Sequence, residues 1–446
     1  MRSEWRRCAG IVALAVLRTG IAATLASRTA TAAEPSRGPL PVVIEGSAQD
    51  GFRIIRGGTP FELRGVAGEE RLELLAACGG TTFRTWGIES CERIVAGSPL
   101  LDAAHALGLT VTVGIWLGHE RHGFDYRSGE QLDRQRRAVE EAVSRYRHHP
   151  AVLFWGLGNE MEGPAGGGAN PIIWREINTL ARLVKQLDPH HPVMPVVANV
   201  NPDKIRAIIE HAPDIDVLGV NAYGGVTAVG RTLRDNGWVK PYCITEFGLS
   251  GPWEVEHTAW NAPIEPSSRV KAGDTFSALK VIMEDHRQCL GAYAFLWGHK
   301  QEATWSWFGM LTPAGEKTPR VDALVRAWTD RWPADRAPVL RETDVPLANA
   351  TVAPGEKVSV RLRYEDPEEQ PLTYLFEVVA ESTDRREGGD AERAPHAVAG
   401  AVQRSGRDGD VEVTAPTNPG AYRLFVTVRD GAGSATVDNW CFRVTR

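Results

Sequence analysis

The chain has 446 residues, of which 43% are hydrophobic and 24% are charged, a composition typical of folded domains rather than of disordered segments. This length favours two to three domains of about 100–200 residues each. The formal charge is −6, and it becomes −10 without residues 1–33, which hold five arginines and one glutamate. An acidic surface argues against nucleic acids and other polyanions as partners.

The first residues have the order of segments that is typical of an export signal. Arg2, Arg6 and Arg7 precede an apolar run from Cys8 to Leu17, and small residues continue to position 33. The apolar run is shorter than the about 20 residues that a membrane-spanning helix needs. We therefore predict a signal peptide over residues 1–33 and an exported protein, periplasmic or extracellular, without stable membrane insertion.

Five cysteines follow the predicted signal, namely Cys78, Cys91, Cys243, Cys289 and Cys441. No pair among them has the spacing of zinc ligands, and an odd number cannot pair completely within one chain. A disulfide between Cys78 and Cys91 and free buried thiols both remain open.

The region 39–333 alternates short β-rich runs with amphipathic runs, the pattern of a parallel sheet wrapped by helices. Eight strands are predicted at Phe61–Val66, Thr81–Trp86, Leu109–Ile115, Ala151–Trp155, Val193–Val197, Val217–Val220, Tyr242–Thr245 and Ala292–Trp297. Helices are predicted at Glu69–Ala77, Leu100–Leu107, Gln131–Arg147, Ile172–Leu187, Lys204–His211 and Arg269–Gln288. Eight strands in this alternation predict an α/β fold of the (β/α)8, or TIM barrel, type.

In the rest of the chain, apolar and polar residues alternate with a period of two. Residues 334–346 are predicted to be a linker, and the alternation in residues 347–446 predicts a small antiparallel β-sandwich of the immunoglobulin or fibronectin III type. Within it, the charged stretch from Thr383 to Arg393 is expected to be a long exposed loop. A structural role and a carbohydrate-binding role both remain open for this domain.

Two carboxylates lie where predicted barrel strands end. Glu160 follows the fourth strand and Glu246 follows the seventh. Active sites of closed α/β barrels lie at the C-terminal ends of the strands. Retaining cleavage of a glycosidic bond needs two carboxyl groups about 5–5.5 Å apart, one protonated and one ionised. This pair is therefore the candidate catalytic pair.

Four further strand-end residues are expected in the substrate site. Arg84 would keep Glu246 ionised by Coulomb attraction. Asn159 would donate to the sugar 2-hydroxyl, and Tyr223 would position the nucleophile. Trp297 would form a floor against which the sugar face packs.

Trp86, Trp116 and His119 complete the expected substrate-binding residues. Both tryptophans are candidate sugar platforms at strand ends. The spacing between His119 and His122 does not match the two-histidine helix motif of zinc enzymes, so no metal is expected.

These motifs resemble a known family. The Asn159-Glu160 pair after an apolar strand, Glu246 within Ile244–Gly248, Arg84 on strand two and Trp297 on strand eight are similar to the retaining glycoside hydrolases of clan A. Over roughly residues 52–330, the chain resembles the catalytic barrel of glycoside hydrolase family 2. The resemblance implies Glu160 as acid/base and Glu246 as nucleophile, with no metal or organic cofactor.

One departure from the family is visible, because most family 2 enzymes carry β-sandwich domains before the barrel and here the sandwich follows it. We expect hydrolysis of β-linked oligo- or polysaccharides by double displacement. Transglycosylation through the same covalent intermediate, as in β-glucanosyltransferases, and a non-catalytic carbohydrate-binding barrel are the alternatives.

Overall fold

The computed structural model describes residues 38–162, 168–404 and 409–446. The expected export signal, residues 1–33, lies outside the described residues, and export stays a prediction. Within the described ranges, no helix is long and apolar enough to cross a membrane.

A small antiparallel sheet of three strands precedes the barrel. Its strands are β1 (Val42–Ser47), β2 (Gly51–Arg56) and β3 (Thr59–Phe61). The backbone of Val42 and that of Phe52 donate to the carbonyls of His190 and Arg287, which lie just before two barrel strands. The sheet therefore covers the end of the barrel at which the strands begin.

Eight parallel strands close into a barrel, as predicted. The strands of this region are β4 (Leu63–Ala67), β5 (Thr82–Arg84), the short hairpin of β6 (Ile94–Val95) and β7 (Ser98–Pro99), β8 (Thr110–Ile115), β9 (Val152–Leu157), β10 (Val193–Ala198), β11 (Leu218–Asn221), β12 (Tyr242–Phe247) and β13 (Cys289–Phe295). The β6–β7 hairpin lies outside the barrel. All eight predicted strands are confirmed, with boundaries that move by a few residues.

Within the described residues, eight α-helices alternate with the strands. They are α1 (Leu72–Ala77), α2 (Leu100–Ala106), α3 (Gly129–Tyr146), α4 (Pro171–Leu187), α5 (Pro202–His211), α6 (Val229–Asp235), α7 (Ser268–Glu284) and α8 (Pro319–Thr329). Helices α3, α4, α5 and α7 begin with a side-chain cap. Ser128 and Asn201, for example, accept hydrogen bonds from the first turns of α3 and α5. Helices α6 and α8 were not predicted. The first has only seven residues, and in α8 the buried charges of Arg320 and Asp322 interrupt the apolar period.

The C-terminal region forms two antiparallel-rich sheets of four strands, as expected for a sandwich. The strands are β14 (Val339–Asp344), β15 (Ala350–Val352), β16 (Lys357–Glu365), β17 (Thr373–Ala380), β18 (Val402–Arg404), β19 (Asp410–Thr414), β20 (Gly420–Arg429) and β21 (Ala435–Val444). Their inward residues, among them Leu362, Leu424 and Phe442, form one apolar core. The segment expected to be a linker holds β14, a mostly exposed strand whose side chains do not alternate in burial. The immunoglobulin or fibronectin III type stays a prediction.

The barrel and the sandwich are joined by buried polar contacts. The Asp438 carboxylate on β21 accepts hydrogen bonds from the backbone N–H of Ser268 at 2.6 Å and from the Tyr364 hydroxyl at 2.7 Å. Arg423 Nη2 donates to the carbonyl oxygen of Pro263 at 2.6 Å. The two parts belong to one compact unit. Buried charged groups therefore contribute to the contact between them.

The five described cysteines are free thiols. Cys78 and Cys91 are buried and form no disulfide with each other, and burial raises the pKa of Cys78 to about 11. Of the two alternatives that the sequence left open, the structure has free buried thiols.

Candidate active site

A cleft of about 760 Å³ lies at the C-terminal ends of the barrel strands. Glu160 and Glu246 both line it, as do Asn159, Tyr223 and Trp86. The strand ends thus bring most of the expected site residues into one depression, as the barrel geometry predicts.

The turn after β9 places Glu160 in this cleft. Gly158 has a φ of 66°, and a Cβ there would lie 2.1 Å from Sδ of Met161, so the turn requires glycine at this position. Glu160 itself has a φ of 55°, an uncommon backbone conformation for a residue with a side chain. Its N–H donates to the carbonyl of Val196 on the neighbouring strand at 2.9 Å. The backbone of Glu160 is therefore held by the turn after β9 and by a hydrogen bond to β10.

Three donors surround the Glu246 carboxylate at the end of β12. Arg84 Nη1 and Trp86 Nε1 each donate to Oε1 at 3.0 Å, and the Tyr223 hydroxyl donates to Oε2 at 2.7 Å. Burial, together with the charge of Glu246, raises the pKa of Tyr223 well above its ordinary value, so the phenol remains a donor. Donors to both oxygens stabilise the ionised carboxylate.

Arg84 connects this carboxylate to the rest of the site. It is 2% exposed, and besides Glu246 it donates to Oδ1 of Asn159 at 2.9 Å and to Oδ1 of Asn221 at 3.3 Å. Asn159 takes part in two hydrogen bonds of this network, and its side-chain oxygen is the acceptor in both. One donor is Arg84, and the other is Asn221 Nδ2 at 3.1 Å. Among the described residues, no hydrogen bond uses the side-chain amide hydrogens of Asn159, so they can donate to another group.

Glu160 lies in a different electrostatic environment. Burial, and after it the negative charge of Glu246, raises the pKa of Glu160 to about 7. A hydrogen bond of 2.7 Å from Asn221 Nδ2 to Oε1 of Glu160 opposes this rise. One carboxyl group of the cleft is thus suited to carry a proton near neutral pH, while the other is surrounded by donors that favour its charge.

Aromatic side chains border the cleft on two sides. Trp116 is 43% exposed and Trp253 is 60% exposed, and both line the cleft. His119 stacks under Trp116 with ring centroids 4.8 Å apart and is itself buried. Burial, followed by the nearby charge of Arg121, lowers the pKa of His119 to about 4. His119 therefore supports Trp116 from behind rather than lining the cleft.

Trp297 is, after His119, a second expected site residue that the structure places outside the cleft. It is 1% exposed, belongs to the core around the barrel, and donates from Nε1 to the carbonyl of Glu70 at 2.6 Å. Phe295 and Leu296, just before it, line the cleft instead. The strand ends two residues earlier than predicted, which changes the residues that reach the cleft.

Asn221, Trp253 and a loop from the sandwich also line the cleft and were missed in the sequence. Asn221 ends β11 two residues before Tyr223, so its place at a strand end was a usable signal. Trp253 lies on the loop after β12, where no pattern marked it. The sandwich loop comes from another domain, and no local pattern in the sequence indicates where such a loop docks.

A family model described as "Glycosyl hydrolases family 2, TIM barrel domain" matches residues 106–250, a segment that contains both Glu160 and Glu246. A "Probable mannan endo-1,4-beta-mannosidase C" of Aspergillus terreus is 36% identical over 164 residues, which are 31% of this chain and 38% of that protein. A "Beta-glucuronidase" of Chlorocebus aethiops is 26% identical over 246 residues, which are 47% of this chain and 35% of that protein. The chain spans about a third of the length of these curated relatives.

Solved structures share the fold at low identity. A GH2 beta-galacturonidase from Eisenbergiella tayi bound to galacturonate has a TM-score of 0.50 and 16% identity, covering 66% of this chain and 55% of that one. A beta-D-glucuronidase of Dictyoglomus thermophilum has a TM-score of 0.50 and 17% identity, covering 66% and 54%. The resemblance expected from the strand-end motifs is confirmed, and the barrel is similar to the TIM barrel domain of glycosyl hydrolases family 2.

Proposed function

We propose that the protein is a retaining β-glycoside hydrolase in which Glu246 is the nucleophile and Glu160 the general acid/base. The observation that carries this proposal is the contrast between the two carboxyl groups. Glu246 accepts hydrogen bonds from three donors, whereas burial and the charge of Glu246 raise the pKa of Glu160 to about 7. Double displacement needs this division of one ionised and one protonated group.

In the first step, Glu160 protonates the leaving-group oxygen while a Glu246 oxygen attacks the anomeric carbon. The glycosidic bond breaks and a glycosyl ester on Glu246 forms. In the second step, the Glu160 carboxylate takes a proton from water, whose oxygen attacks the anomeric carbon and releases Glu246. Arg84 and Tyr223 hold the leaving carboxylate in place in this step.

We propose that the substrate is a neutral sugar in β-linkage. The described lining of the cleft holds six acidic residues and two basic ones. The acids are Glu160, Glu246, Glu254, Glu302, Glu387 and Asp390, and the bases are Lys300 and Arg386. Lys300 is already engaged, since its Nζ lies 3.1 Å from Oε2 of Glu302. A uronate carboxylate in this cleft would meet net negative charge, so the mannosidase among the relatives is the better guide to substrate than the β-glucuronidases.

The test is a panel of 4-nitrophenyl β-glycosides that contains the glucoside, galactoside, mannoside and glucuronide. We expect turnover of at least one neutral glycoside, with a kcat/KM at least about fivefold above that of the glucuronide, because a like charge about 4 Å away costs about 1 kcal/mol even in water. The Glu246→Ala variant is the control that assigns the activity to this site. Preference for the glucuronide would contradict the neutral-sugar proposal, and no turnover of any β-glycoside would contradict the hydrolase proposal.

A further inference from the structure

The sandwich contributes part of the cleft in which the two catalytic carboxylates are proposed to lie. A long connection, residues 381–401, joins β17 to β18. Five of its residues, Arg386–Asp390, line the cleft together with Glu160 and Glu246. We call these five residues the tip loop. The sequence predicted an exposed loop here, and the structure brings its tip to the barrel.

The tip loop is held at one end by the barrel segment that follows β8. Oδ2 of Asp390 lies 3.0 Å from Nε2 of His122, and Arg121 Nη2 lies 3.5 Å from Oδ1 of the same carboxylate. Arg121 Nη2 also donates to the carbonyl oxygen of Gly388 at 3.3 Å. Basic groups of the barrel thus meet an acidic side chain and a carbonyl of the sandwich.

A second barrel segment, the one that follows β13, holds the other side of the loop. Lys300 Nζ donates to the carbonyl oxygen of Gly389 at 2.5 Å. The backbone N–H of Ala303 donates to Oε2 of Glu392 at 2.9 Å. The tip loop therefore spans from the loop after the third barrel strand to the loop after the eighth.

The sequence of the tip is adapted to this close approach. Gly388 has a φ of 59°, in the left-handed region, and a Cβ there would lie 2.6 Å from Cζ of Arg121. At Gly389, a Cβ would lie 3.0 Å from Nζ of Lys300. Two consecutive glycines allow the backbone to approach both barrel cations closely. A loop without a defined docking position would not need glycine at these two positions.

The side chains beside the glycines remain available to a ligand. Among the described residues, the Glu387 carboxylate has no hydrogen-bond or ion-pair partner, and Arg386 uses its Nε for Asp384 at 2.8 Å. Both residues are exposed and line the cleft. Carboxylate and guanidinium groups in such a place form strong hydrogen bonds with sugar hydroxyls.

We propose that the tip loop is a substrate-binding wall, which binds sugar units beyond the one attacked by Glu246, and that the sandwich thereby takes part in substrate selection. This inference rests on the proposed glycosidase function. The ring of donors around Glu246 comes from the barrel, and the tip loop makes no hydrogen bond to either catalytic carboxylate within the described residues. Its groups therefore face the parts of an oligosaccharide that extend away from the cleaved bond.

The experiment compares a substrate of one sugar with a longer one. The double variant Arg386→Ala/Glu387→Ala and the wild type are assayed on the best 4-nitrophenyl β-glycoside and on β-1,4-linked mannotetraose and cellotetraose. We expect kcat/KM on the tetrasaccharide that the wild type cleaves to fall about tenfold, mainly through KM, because a hydrogen bond to a charged group is lost. On the aryl glycoside, we expect kcat/KM to change by less than about twofold. This substrate has no remote sugar units, and the variant removes only the binding of such units.

Arg385→Ala is the matched control, because Arg385 lies in the same connection, pairs with Glu381 at 2.9 Å and does not line the cleft. It should leave both substrates unaffected. An equal loss on both substrates, no loss in the double variant, or a wild type that cleaves the aryl glycoside but neither tetrasaccharide would overturn the role of the tip loop. A wild type that cleaves no β-glycoside would instead overturn the proposed function, and the tip-loop proposal with it.

Discussion

Asn221 donates a hydrogen bond from Nδ2 to Oε1 of Glu160 at 2.7 Å. Its side-chain oxygen, Oδ1, accepts a hydrogen bond from Arg84, which also donates to Glu246. One side chain at the end of β11 thus contacts the Glu160 carboxyl group directly and is linked to the Glu246 carboxylate through Arg84. Because this bond stabilises the charged form of Glu160, it keeps the pKa of that group from rising further.

The pH profile of kcat/KM is predicted to report this bond. The proposed mechanism requires protonated Glu160, so in the wild type kcat/KM should decline as the pH rises through the pKa of Glu160, at about 7. The Asn221→Ala variant removes a bond that lowers this pKa, so the alkaline limb should move to higher pH. At pH 6, kcat/KM should also be lower, by about tenfold, because Arg84 and Glu160 lose a shared partner.

Asn199→Ala is the control for this shift, because Asn199 lines the same cleft and its Oδ1 accepts from the backbone of Val200 rather than contacting Glu160. Its alkaline limb should stay where the wild type has it. An alkaline limb of Asn221→Ala at unchanged or lower pH would show that Glu160 is not the group that titrates.

The junction between barrel and sandwich is predicted to carry measurable stability. Asp438 is 2% exposed and accepts from the backbone N–H and the hydroxyl of Ser268, at the start of α7, and from the Tyr364 hydroxyl. Asp438→Ala leaves these donors buried without a partner, so the free energy of unfolding should fall by about 2–4 kcal/mol. Urea unfolding followed by tryptophan fluorescence measures the change.

The surface pair of Glu412 with Lys357, in the same domain, gives the comparison. Glu412→Ala should change the free energy of unfolding by less than about 1 kcal/mol, as exposed ion pairs do. Equal effects of the two variants would mean that the buried junction contributes no more than the surface, and that the sandwich is only loosely attached.

The barrel was predictable from the sequence because its pattern is local. Each buried strand is a short apolar run between amphipathic helices. Glu160 lies three residues after the end of β9, and Glu246 lies near the end of β12. Once the strands are arranged in a barrel, their C-terminal ends meet, and this explains why Arg84, Asn159 and Tyr223 also lie in the site.

The features that sequence reasoning missed depend on contacts between distant segments. Trp297 was expected in the cleft, but a bond to the carbonyl of Glu70 holds it in the core. The Gly388-Gly389 pair has the sequence of an ordinary loop. Only the structure shows that the backbone carbonyls of the two glycines accept hydrogen bonds from Arg121 and Lys300. Helix α8 was missed because its buried charges pair with groups elsewhere in the fold, as Arg320 Nη2 does with the carbonyl oxygen of Phe295 on β13 at 2.7 Å.

The roles of the two glutamates give the most discriminating prediction. Glu246→Ala removes the proposed nucleophile, so turnover should fall by a factor on the order of 10⁴ or more whatever the leaving group. Azide added to this variant attacks from the vacated face and should yield an α-glycosyl azide. Glu160→Ala removes the proton donor, but dinitrophenyl glycosides need little acid assistance and should still form the ester on Glu246.

In Glu160→Ala, that ester should accumulate, because no base activates water, and azide should release it as a β-glycosyl azide. The two variants therefore predict azide products of opposite anomeric configuration, which proton NMR distinguishes by the coupling or chemical shift of the anomeric proton. Glu162→Ala serves as the control, since Glu162 lies two residues from Glu160 but is buried and paired with Lys204 at 2.7 Å. Azide should form no glycosyl azide with that variant. The same anomer from both catalytic variants, or full activity in Glu246→Ala, would reverse or remove the assigned roles, because the face from which azide attacks is set by which carboxylate is missing.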